Sequence, residues 1–139
     1  MKETSHKIQI LAVQSSPAHT EKLQTKLHLL KIKSEMTVLA TAEEAFEYLE
    51  GRTAHLGMSR PSLPKLIFLD SRIRDTAIWE IVRKLKPNHA LRSIPVIILS
   101  SAEDSQKDLS PCKGPGVFLL PHDGAETALW NILKELRLA

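Results

Sequence analysis

Short apolar runs alternate with amphipathic runs along the whole chain, and this alternation limits the possible folds more than any other feature. The apolar runs lack the polar alternation of a strand that faces water, so each is predicted to be a buried β-strand. Strands that are apolar on both faces are typical of a parallel sheet covered by helices on each side. The predicted strands cover residues 8–13, 36–40, 66–69, 96–99 and 117–120.

The amphipathic runs carry helix start signals. Ser16 is a suitable N-cap for a first helix, and Pro17 suits its first position. Thr41 and Glu44 form the pattern of a capping box before a second helix. The strand–helix order then repeats to the end of the chain. It predicts an α/β protein with a (βα)5 doubly wound, five-stranded parallel sheet and right-handed connections.

Length and composition fit one ordinary domain. The chain has 139 residues, of which 42% are hydrophobic and 25% charged. We expect a single domain over 1–139 with its core at about 7–138. Cys112 has no second cysteine to pair with, and no apolar run is long enough for a membrane span, so we expect a cytoplasmic protein without a membrane partner. The net charge of +3 is scattered, which argues against a nucleic-acid partner.

A binding site is expected at the carboxyl ends of the strands, where open parallel sheets bind their ligands. Asp70 follows four apolar residues directly, so its carboxylate is predicted to lie at that edge. The alternative is that Asp70 only begins a turn or caps the next helix. The chain has no glycine-rich phosphate loop and no nucleophile elbow, and no pair of its six histidines has zinc-site spacing. We therefore expect no enzyme activity, and we expect the histidines to be solvated surface residues.

Two segments carry a resemblance to a known family. The run KLIFLD at 65–70 resembles the strand that leads to the phospho-accepting aspartate in receiver domains of two-component response regulators. The run ALRSIPVIILS at 90–100 resembles the fourth strand of that family and its lead-in. The resemblance covers about residues 7–138 and implies a flavodoxin-like receiver fold, with Asp70 as phospho-acceptor and Ser100 at the hydroxyl-switch position. The run EEAFEYL at 43–49 is most similar to small single-domain regulators of phytochrome-type kinases.

The chain departs from the family pattern at the positions that carry charge. Gln14 and Ser15 stand where the resemblance implies an acidic pair, and Leu120 stands where it implies a lysine. Val117 stands at the position of the switch aromatic. Because Mg²⁺ prefers anionic oxygen ligands, the resemblance implies a weak or absent magnesium site here, and no cofactor is expected. Pro121 is retained and implies a cis peptide bond after Leu120.

The segments around the expected site differ from the family as well. Arg72 and Arg74 follow Asp70 and are possible substitutes for the missing cations, unless both guanidinium groups lie in solvent. The stretch between 100 and 117 is short and rich in proline and glycine, so the helix expected there is truncated or distorted.

Three functions agree with these patterns. The first is a degenerate receiver (a pseudo-receiver) that acts by binding a protein partner, such as a histidine kinase, another regulator or a second copy of the chain. The second is a working response regulator that is phosphorylated on Asp70. The third is an unrelated flavin or nucleotide binder, which the same topology permits.

Overall fold

Five parallel strands form one sheet in the order β2-β1-β3-β4-β5 in the computed structural model. The model describes residues 7–14, 16–50, 63–70, 78–85, 87, 90–100, 116–121 and 126–138. The elements are β1 Ile8–Val13, α1 Pro17–Leu29, β2 Ser34–Leu39, α2 Ala42–Leu49, β3 Leu66–Asp70, α3 Ile78–Leu85, β4 Val96–Ser100, β5 Val117–Pro121 and α4 Glu126–Glu135.

The strand order reverses direction at β1, which lies between β2 and β3. This is the order of the flavodoxin-like doubly wound fold, with its switch point between β1 and β3. The predicted fold class is therefore confirmed. The short helix predicted between β4 and β5 lies outside the described residues. No helix in the part of the chain that the structure describes is long and apolar enough to cross a bilayer.

Alternate residues of the strands build two apolar cores, one on each face of the sheet. On one face, which we call the α2–α3 face, Leu11, Leu69 and Ile98 pack with residues of those two helices. On the other, the α1–α4 face, Ala12 and Phe68 pack with residues of α1 and α4. The strands are buried on both sides because helices cover each face, which explains their nearly continuous apolar sequence.

Both predicted helix caps are present. The Ser16 hydroxyl accepts the backbone N–H of His19 at 3.3 Å, and the Thr41 hydroxyl accepts that of Glu44 at 3.2 Å. The Glu44 carboxylate accepts the backbone N–H of Ala40 at 3.3 Å, one residue before the position that a capping box uses. The caps fix where α1 and α2 begin, and α1 begins directly after the carboxyl end of β1.

Several strand boundaries differ from the prediction by one or two residues: β2 is Ser34–Leu39, and β3, β4 and β5 each extend one residue further, to Asp70, Ser100 and Pro121. β2 begins at Ser34, two residues before the predicted start, because Ser34 pairs with Ile8 at the beginning of β1. β3 includes Asp70, which pairs with Leu99 of β4. Asp70 is therefore part of the sheet, which argues against the alternative that it only begins a turn.

Candidate functional site

The carboxyl ends of β1 and β3 bring two buried polar side chains together. Asp70 has no exposed surface, and Gln14 is 4% exposed. Val13 pairs with Leu69 in the parallel register, so the next residues along the two strands, Gln14 and Asp70, lie side by side. By strand alternation both extend the α1–α4 face, two residues beyond Ala12 and Phe68. The site lies at the switch point, where this fold binds its ligands.

His19 contacts the Asp70 carboxylate from the first turn of α1. Its Nδ1 lies 3.1 Å from Asp70 Oδ2, and its side chain is 12% exposed. A buried carboxylate is unstable without polar partners, so this contact stabilises Asp70 in the sheet. The prediction that the histidines are solvated surface residues is therefore wrong for His19.

A signal for His19 was present in the sequence. His19, Leu23 and Leu27 are four residues apart, so they form one stripe along α1. Leu23 and Leu27 are buried in the core of the α1–α4 face. His19 continues that stripe to the end of α1 that adjoins the carboxyl ends of the strands.

Gln14 occupies the first position of the implied acidic pair without supplying a charge. Its backbone N–H donates to Leu39 O at 3.0 Å, which continues the ladder between β1 and β2. Its side-chain Nε2 and Oε1 are both buried, and neither has a hydrogen-bond partner among the described residues. A buried amide group that is left unpaired costs about 1–3 kcal/mol.

Leu120 has an apolar side chain at the position where the family resemblance implies a lysine. The register pairs Asp70 with Leu99, and Leu99 with Leu120, so these residues are aligned across three strands. Leu120 is 3% exposed and belongs to the core of the α1–α4 face. The cis peptide bond expected between Leu120 and Pro121 is wrong, since no described peptide bond is cis.

Ser100 and Val117 lie on β4 and β5. Ser100 is the last residue of β4, is half-buried, and pairs with Pro121. Val117 is half-buried against the core of the α2–α3 face, whereas Phe118 packs on the α1–α4 face. The aromatic ring of Phe118 is therefore on the opposite side of the sheet from the switch-aromatic position, as strand alternation predicts.

Ser15, Arg72 and Arg74 lie outside the described residues, so their roles stay predictions.

The described part of the site does not fit Mg²⁺. It offers one carboxylate, one imidazole and one neutral amide, whereas Mg²⁺ requires oxygen ligands in near-octahedral geometry and is usually held by carboxylates. Within the described residues there is no cluster of three or more His, Cys, Asp or Glu side chains suited to a metal ion.

Comparison with known proteins agrees with this fold. The Arabidopsis thaliana two-component response regulator ARR15 is 30% identical over an alignment of 122 residues, with 84% of this chain and 57% of that protein covered. The solved bacteriophytochrome response regulator AtBRR has a TM-score of 0.78 and 21% identity, with 96% of this chain and 95% of that chain covered. No protein-family model matches the chain.

A third relative shows the site of the fold with a metal ion. The receiver domain of the sensor histidine kinase PA1611 from Pseudomonas aeruginosa PAO1 has magnesium coordinated in its active-site cleft. Its TM-score is 0.69 at 21% identity, with 94% of this chain and 98% of that chain covered.

The structural neighbours are receiver domains of response regulators, so the chain has the receiver fold that the resemblance implies, and its sequence is similar to that of a two-component response regulator. Such domains are signalling modules. The chain spans 57% of the length of the curated relatives that it matches.

Proposed function

We propose that residues 1–139 form one pseudo-receiver domain, which transmits signals by binding a protein partner and has impaired Mg²⁺-dependent phosphorylation. The observation that carries the proposal is the buried, uncharged Gln14 beside Asp70, with the apolar Leu120 aligned with Asp70 on the same face. Under this proposal the chain is not an enzyme and has no resident cofactor.

The physical reason lies in the charges that phosphoryl transfer requires. Catalysis of this transfer depends on cations that neutralise the oxygens of the phosphoryl group. Gln14 brings no anionic ligand for a metal ion, and Leu120 brings no ammonium group. Asp70 thus keeps its place in the fold while two of the groups that would activate it are absent.

The test is phosphorylation of the whole chain by a small acyl phosphate with Mg²⁺, followed by intact mass. We expect no adduct, because the transition-state charges are not neutralised. An adduct of about 80 Da that disappears in Asp70→Asn would overturn the proposal, since that is the mass of one phosphoryl group. The Ser100→Ala variant is the matched control, because it leaves the carboxylate in place.

The proposed partner surface is α4 together with the adjoining edge strand β5. Trp130 on α4 is half-buried, and the Lys134 ammonium lies 5.8 Å from the centre of its ring. Leu119 on β5 is 39% exposed. A half-buried tryptophan next to a cation has the composition of a binding hot spot. By strand alternation Leu119 lies on the same side of β5 as Val117, so it is a separate exposed apolar position at this edge of the sheet. The proposed partner is a cytoplasmic histidine kinase or another regulator, and a second copy of the chain is the alternative occupant.

Trp130→Ala tests this surface. We expect an unchanged unfolding midpoint together with the loss of self-association, measured by sedimentation, or of capture of a receiver-binding histidine kinase. Trp130→Phe, which keeps an aromatic ring, is the matched control and should retain binding. Unchanged binding in Trp130→Ala would remove α4 from the proposal.

The second candidate is a working phospho-acceptor. It is favoured by Asp70 and Ser100, which both stand at the carboxyl ends of neighbouring strands. The phosphorylation test above separates it from the pseudo-receiver. The similarity to receivers supports both over the flavin or nucleotide binder, which a colourless purified protein without bound nucleotide would exclude.

A further inference from the structure

We propose that His19 takes the place of a divalent cation at Asp70, and that its imidazole keeps metal ions away from this carboxylate. The inference rests on the proposed function and deepens it, because it names the group that holds the site in one state. It begins from the 3.1 Å contact between His19 Nδ1 and Asp70 Oδ2.

The contact is anchored at both ends. Asp70 is held in the sheet by its pairing with Leu99, and it has no exposed surface. His19 is held by the N-cap, since its backbone N–H donates to the Ser16 hydroxyl at 3.3 Å. The imidazole therefore reaches the carboxylate from a fixed turn of α1.

The ring occupies the part of Asp70 Oδ2 that faces α1. A cation that binds this oxygen from the same side has to displace the ring and break its contact. Nδ1–H supplies a hydrogen-bond donor where a metal ion supplies positive charge, and both stabilise the carboxylate.

The neighbours of Asp70 on the same face do not compete with His19 for this role. The Gln14 amide is uncharged and has no hydrogen-bond partner among the described residues. The Leu120 side chain is apolar and packs in the core. His19, by contrast, brings an imidazole nitrogen to the Asp70 carboxylate.

A cavity adjoins the site next to Gln14. This cavity of about 590 Å³ lies between α1 and the end of β2, and Gln14, Ser16 and Thr20 are among its lining residues. A carboxylate placed at position 14 would supply a second anionic group beside Asp70. In a chain with that second carboxylate, His19 is the group that we expect to oppose metal binding at Asp70.

The experiment compares the affinity for Mn²⁺, followed by its paramagnetic resonance signal, in whole chains that all carry Gln14→Asp. We expect His19→Ala in this background to tighten the dissociation constant by about tenfold or more. His19→Asn, which keeps a neutral donor near the position of Nδ1, should give much less of this gain. His28→Ala, on the exposed part of the same helix, should give none.

Equal Mn²⁺ affinity with and without His19, or no binding by either variant, would overturn the proposal. A second measurement needs only Gln14→Asp: the ¹⁵N signals of the His19 ring should move as Mg²⁺ is added, while those of His28 stay in place. A His19 ring that does not respond as the metal binds would also overturn it. Phosphorylation of the unaltered chain on Asp70 is a separate outcome, and it would contradict the pseudo-receiver. The His19 proposal is instead judged by the ratio of the Mn²⁺ affinities of the Gln14→Asp chain with and without His19→Ala.

Discussion

The two faces of the sheet differ at the edge formed by the carboxyl ends of the strands. The α2–α3 face is filled by aliphatic side chains and Tyr48, whose hydroxyl reaches Thr37 Oγ1 at 3.3 Å. The α1–α4 face is equally apolar in its interior, but it ends at Gln14, Asp70 and His19. Among the described residues, the buried polar side chains are Gln14 and Asp70. The comparison teaches that buried polar side chains, within the described part of the chain, lie at the switch point, where this fold binds its ligands.

The largest expected effect compares adjacent residues of β3 that point to opposite faces. Phe68 is fully buried on the α1–α4 face, and Ile67 is 1% exposed on the α2–α3 face. We expect Phe68→Ala to lower the free energy of unfolding by about 3–5 kcal/mol and Ile67→Ala by about 2–5 kcal/mol, because each leaves a cavity.

Urea denaturation of the two variants measures both values. If Phe68→Ala lowered the free energy of unfolding by less than about 1 kcal/mol, the α1–α4 face would not be close-packed. The two cores would then not be equivalent.

The next effect has the opposite sign. Gln14→Leu replaces a buried amide, which has no partner among the described residues, with an apolar side chain of similar size, so we expect the free energy of unfolding to rise by about 1–3 kcal/mol. Gln24→Leu, at an exposed position of α1, is the matched control and should change stability by less than about 0.5 kcal/mol. Destabilisation by Gln14→Leu would show that the amide has polar partners in solution.

The smallest effect compares the two helix caps. Ser16→Ala and Thr41→Ala each remove a hydroxyl that accepts a backbone N–H, so each should cost about 1 kcal/mol of stability in chemical denaturation. The ring ¹⁵N signals of His19 should shift in Ser16→Ala, because that cap anchors the backbone of His19, and should not shift in Thr41→Ala. Identical spectra would show that the cap does not position the imidazole.

Most of the fold was predictable from local patterns. Apolar runs located all five strands, and Ser16 and Thr41 located the starts of two helices. The start of β2 was missed because Ser34 and Glu35 are polar, and only their pairing with β1 makes them part of a strand. Asp70 was predictable because it follows a buried strand directly in the sequence.

The role of His19 was not predictable in the same way. It is separated from Asp70 by 51 positions along the chain, and its immediate neighbours in sequence do not distinguish it from the other histidines. The stripe shared with Leu23 and Leu27 indicates the buried side of α1, but it does not say what stands opposite.

The sequence by itself determined the alternation of strands and helices, the capped helix starts, and the absence of charge at positions 14 and 120. These features depend on residue type, on periodicity, and on hydrogen bonds between residues close in the chain. Only the tertiary structure decided that Gln14 lies beside Asp70 and that the His19 ring contacts its carboxylate. Those contacts depend on the register between parallel strands and on how α1 packs against the sheet. Both are set by burial of apolar surface across distant segments, which no local pattern specifies.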